Sequence, residues 1–227
     1  EVAAYIQGLL RDPDPGGPHH DVVMVYLSAH VVVDEHSQPC LLLGDADPLD
    51  SSTWLPLSEV LEWTKELPDN IKKVLLLDCG RMPTNWQIGL FYNGFAERVE
   101  AAIERAEVPN LYVLNSTGPG EAAQHAAELH ASSFGFFVQQ GLNGAADVEH
   151  SGNGDDHVSW QELVDYVQRQ VEWWAAERRS DEQKPLAFGD ADFPVVHVNR
   201  SAPTSYDPPD AKAFGRDQER IEANWRE

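Results

Sequence analysis

Cysteine is scarce in this chain: there are two in 227 residues, Cys40 and Cys79, each in or at the end of an apolar run. That usage excludes a secreted disulfide scaffold and leads us to expect buried thiols in a reducing compartment, the cytoplasm. Positive charge is scarce as well, with Lys+Arg 16 against Asp+Glu 38 and a formal net charge of -22. Such a surface repels phosphate backbones and anionic lipid, so neither nucleic acid nor a membrane is an expected partner. No apolar stretch approaches the ~20 residues that span a bilayer, and no charged-then-apolar leader opens the chain. Gly118-Pro119-Gly120 lacks the following Lys and Ser/Thr of a phosphate loop. His19-His20, His125, His130 and His150 lack metal-ligand spacing. No metal, no cofactor and no internal repeat are expected.

What the chain does contain is an alternation of strand-like and helix-like segments. Val2, Ile6 and Leu9-Leu10 form a helical stripe that stops at a run of prolines and glycines from Asp12 to Pro18. Asp21 to Leu27 is valine-rich and continuously apolar, the pattern of a strand buried on both faces. Cys40 to Leu43 predicts a short strand, Ser58 caps a predicted helix to about Leu67, and Lys73 to Asp78 is a second buried strand. Phe91, Phe95, Val99 and Ile103 recur every four residues on a further helix, and Leu111 to Leu114 is a third strand. An alanine-rich segment leading into Phe134, Phe137, Val138 and Leu142 predicts another helix, and Leu163, Val167, Val171 and Trp174 share a face of the next. Val195 to Val198 is the last predicted strand. The class is therefore α/β with a mostly parallel sheet.

Two segments carry possible chemistry. One strand runs into Tyr26-Leu27-Ser28-Ala29-His30, and another ends in Leu77-Asp78-Cys79-Gly80-Arg81. In a parallel sheet, reactive groups collect at the carboxyl edges of neighbouring strands, and a histidine beside a cysteine can prepare a thiolate nucleophile. The loop from Ser151 to Glu162 has the length of a calcium loop, but it lacks the first aspartate and the central glycine. Ser159-Trp160-Gln161-Glu162 reads more simply as a capping box.

In order and motif the chain resembles the caspase-like fold of caspases, metacaspases and their bacterial relatives. Tyr26-Leu27-Ser28-Ala29-His30-Val31 is similar to the family's histidine segment, and Asp78-Cys79-Gly80-Arg81 to its nucleophile segment. Leu42 to Asp47 is similar to the leucine-rich strand and acidic turn. The resemblance implies a three-layer α/β/α sandwich over residues 1–199, followed by a Pro- and charge-rich tail over 200–227. Members usually start with another strand, so the expectation is an excerpt of a longer protein. The resemblance also implies that His30 and Cys79 are the catalytic pair and that Asp78 helps seat a basic substrate residue.

The departures point elsewhere. Aligned on Asp78, the nucleophile position holds Gly80, with Cys79 one residue early. Because side chains alternate along an extended strand, that displacement can turn the sulfur into the core. Val31 stands where the family has a glycine beside the oxyanion donor. The expectation is a pseudo-peptidase acting as an interaction or regulatory module for a protein or peptide. The alternative is an active cysteine endopeptidase with a Cys79/His30 dyad.

Overall fold

The computed structural model describes residues 21–80, 94–149 and 152–198. The predicted amino-terminal helix, Phe91 and the tail lie outside them. A six-stranded sheet organises the molecule in the order β3-β2-β1-β4-β5-β9. Its strands are β1 (Val22–Val33), β2 (Pro39–Leu42), β3 (Leu55–Pro56), β4 (Lys72–Cys79), β5 (Leu111–Asn115) and β9 (Leu186–Phe188). The centre is parallel, with β1 beside β4 and β4 beside β5. β2 joins β1 antiparallel, β3 joins β2 antiparallel and β9 joins β5 antiparallel. Four of the six strands (β1, β3, β4 and β5) therefore run one way, which makes the sheet mixed with a parallel heart.

β4 is central because nothing in it needs water at its middle. Val74, Leu75, Leu76 and Leu77 are each at most 1% exposed, and burying such a side chain contributes roughly 2 kcal/mol. Successive residues point to opposite faces, so β4 feeds two cores at once. Leu75, Leu77 and Cys79 join a cluster with α1 (Leu57–Lys65) and α2 (Ala96–Ala106), through Val60, Leu61 and Val99. Val74 and Leu76 join a second cluster with α3 (Ser133–Gln140) and α4 (Trp160–Arg179), through Phe134, Leu163 and Val167.

Several expectations change in the structure. β1 extends past Leu27 to Val33, since Val31 and Val32 are almost wholly buried and His30 to Val33 pair with β2. It is not buried on both faces, because Tyr26, Ser28 and His30 are exposed. Ser58 does not cap α1; Pro56 stands at that position without a side-chain cap bond. The alanine-rich segment forms a small hairpin of β6 (His125–Ala126) and β7 (Ala131–Ser132), and Ser132 caps α3 through Gly135 N–H. The strand predicted at Val195 is β10 (Pro194–His197), but it pairs with β8 (His157–Ser159) in a separate two-stranded sheet. The capping box at Ser159 and Glu162 is present as read. Glu162 also accepts Asn153 N–H, so the cap and its preceding loop use both carboxylate oxygens.

At the amino-terminal end of the strands, Lys73 is a buried cation that donates from Nζ to the carbonyls of Pro68 and Pro109 and more weakly to Ile71. Burial holds its pKa below the ordinary lysine value, with Asp69 opposing.

Candidate functional site

The carboxyl edge of β1, β4 and β5 brings the predicted residues close in the fold but does not combine them. Ala29 is the register partner of Cys79, so His30 lies one step beyond the last residue of β4. Alternation then separates the two. Cys79 shares its face with Ala29 and Val31 in the α1/α2 cluster and is 0% exposed. His30 lies between those two residues, points to the other face and is exposed. The Cys79 sulfur donates a long bond of 3.9 Å to the carbonyl of Leu27 within the sheet. A thiol there is on the far side of the sheet from the His30 imidazole.

Gly80, the residue that the resemblance aligns with the nucleophile, has φ +106°, a conformation that side chains disfavour. A Cβ added there would meet Thr117 Oγ1 at 3.1 Å. The position is thus shaped for a residue without a side chain.

Asp78, next to Cys79, takes the opposite face. It is 0% exposed, and its Oδ2 accepts from Tyr26 Oη at 2.5 Å and from Ser132 Oγ at 2.6 Å. These bonds tie β1, β4 and the start of α3 together. Asp78 therefore acts as a buried tie and not as a carboxylate held out to solvent.

A network that sequence reasoning missed fills the rest of the edge. Ser116 Oγ donates to Cys79 O at 2.6 Å and accepts Cys79 N–H at 3.1 Å. Gln183, 0% exposed, donates from Nε2 to Ser116 O at 2.9 Å. Its Oε1 accepts Ser133 Oγ at 2.9 Å and Gln124 N–H at 3.0 Å. One side chain after α4 thus fastens β5, the β6–β7 hairpin and α3. Ala123 N–H also donates to Gly80 O at 3.3 Å. Gln183 sits in a polar stretch with no periodicity, and no sequence signal marks it.

Among the described residues, these bonds knit the carboxyl ends of β4 and β5 to the β6–β7 hairpin and the start of α3. Among the described residues no group of three or more His, Cys, Asp or Glu could hold a metal ion. None of the described helices is long and apolar enough to cross a membrane.

No protein-family model matches the chain, and no curated protein matches it significantly. In three dimensions it is similar to the crystal structure of protein GSU0716 from Geobacter sulfurreducens. The TM-score is 0.51 at 14% identity, over 83% of this chain and 74% of that one. At that identity the likeness carries the fold alone.

Proposed function

We propose that this chain is a caspase-like three-layer α/β/α domain of bacterial type that has lost its nucleophile and acts as an interaction or regulatory module for a protein or peptide. The observation that carries the proposal is the turn of Cys79 into the α1/α2 core while His30 lies exposed on the opposite face. Nucleophilic catalysis needs the base within hydrogen-bond reach of the thiol. Flipping one strand-end residue to the other face would bury Asp78 among apolar side chains and break its two hydroxyl bonds. The conformation of Gly80 against Thr117 supports the same reading.

The test is incubation of the purified chain with peptides bearing Arg, Lys or Asp before the scissile bond. No turnover is expected. Turnover that disappears in both Cys79→Ala and His30→Ala would overturn the reading in favour of an endopeptidase.

A further inference from the structure

The small β8–β10 sheet holds a histidine pair unrelated to the edge described above. His157 and His197 are direct cross-strand partners, both exposed, with ring centroids 4.8 Å apart and planes inclined at 50°. Metal–nitrogen bonds of ~2.0–2.1 Å put two imidazoles that share one ion at centroid separations of roughly 5 Å. The two rings therefore stand at a spacing that a shared ion allows.

His157 Nδ1 lies 3.1 Å from the backbone carbonyl of Asp155. A carbonyl can only accept, so this contact suits the tautomer with the proton on Nδ1, which leaves Nε2 for a ligand. Metal-bound histidines use this arrangement, in which the outer nitrogen donates to a carbonyl or carboxylate and the inner one binds. The Asp155 carboxylate, 3.8 Å from the same Nδ1 and bonded to His157 N–H, adds negative charge behind the ring. The strongly acidic chain favours any cation further.

We propose that His157 and His197 form a surface chelate for a borderline transition-metal dication, zinc or nickel, through two imidazole nitrogens. Since no third side chain of ligating type among the described residues is grouped with them, water fills the remaining positions, which are open to a ligand from a binding partner. The ion would bridge β8 to β10 and so brace the loop before α4 against the strand that ends beside Val198, whose N–H donates to Asp156 O at 2.8 Å.

The experiment is titration of the full chain with zinc ion by calorimetry, together with ring-proton NMR of the wild type during nickel addition. One site is expected, weakened by more than about tenfold in either His157→Gln or His197→Gln and unchanged when His19 and His20 are both replaced by Gln. Nickel should broaden the His157 and His197 ring signals first, a reading that needs no variant to fold. No zinc binding, or binding unaltered in both single variants, would overturn the proposal, as would nickel broadening confined to other histidines.

Discussion

The two faces of the central sheet treat the same strand end differently. On the α1/α2 face, β4 ends in Cys79 among Ala29, Val31 and Leu77, an apolar setting to the last residue. On the α3/α4 face it ends in Asp78, held by Tyr26 and Ser132. One residue of register thus decides whether the strand end is oily and inert or polar and tied. The same parity assigns His30 to the polar face and Cys79 to the other. A catalytic dyad is a relation between faces as much as between motifs, and here the two halves of a recognisable pair fall on different sides.

The difference predicts unequal costs for neighbouring substitutions. Asp78→Ala should destabilise the fold by about 3 kcal/mol, since it removes a buried oxygen that joins Tyr26 and the buried Ser132 across β1, β4 and α3. Cys79→Ala, which removes a single sulfur from an apolar wall, should cost about 1 kcal/mol. Urea unfolding of both variants checks the ratio. A Cys79→Ala penalty equal to or larger than that of Asp78→Ala would break the comparison.

The other cysteine gives a pH-dependent version of the same contrast between apolar and polar burial. Burial, with Asp34 adding to it, pushes the Cys40 thiol up from 9.0 to about 11. The folded thiol stays neutral where the unfolded one ionises. Its contribution is therefore complete below pH 9 and is lost as pH rises from 9 through 11, on the order of 2 kcal/mol in all. Tyr166, pushed up to about 12 by burial and then by Glu149, acts in the same direction at higher pH. Denaturation midpoints measured between pH 8 and 10.5 should fall, and Cys40→Ala should flatten the fall. An unchanged slope in that variant would show that Cys40 carries none of it.

Gly80 sharpens the comparison where the two faces meet. A side chain there adopts an unfavourable positive φ and presses on Thr117 Oγ1, so Gly80→Ala should cost about 1–3 kcal/mol. Thr117→Ala in the same chain should recover the part due to contact, but not the part due to backbone strain. Introducing a thiol by Gly80→Cys meets the same penalty. A Gly80→Ala variant as stable as the parent would remove this barrier.

The sheet's heart was legible because β4 is an uninterrupted run of buried leucines and because its 3.6-period neighbours, such as Val99 and Ile103, mark α2 clearly. The capping box was legible because both its partners lie within four residues. The hairpin at His125 to Ser132 was not, since alanine favours a helix and only the cross-strand pairing of His125 with Ser132 and Ala126 with Ala131 outweighs that preference. β9 is three half-buried residues that become a strand only by lying against β5. The turn of Cys79 into the core follows from strand alternation, whereas the bonds around Gln183 depend on contacts 50 to 67 residues apart.

The smallest expected effect is also the most diagnostic for the separation of faces. His30 is exposed at the end of the sheet's parallel portion, so His30→Ala should change stability by less than about 0.5 kcal/mol. Cys79, at 0% exposure, should react with an alkylating probe only when the strand end opens. If the faces are truly separate, the labelling rate of Cys79 follows that opening and is the same with and without His30. An imidazole in reach would instead stabilise the thiolate, and its removal would slow labelling and shift its pH profile upward. Rates measured from pH 6 to 9 in the two proteins distinguish these outcomes, with Cys40→Ala as the background so that one thiol reports. Equal profiles support two faces that do not communicate, and a His30-dependent profile would place thiol and imidazole on the same side after all.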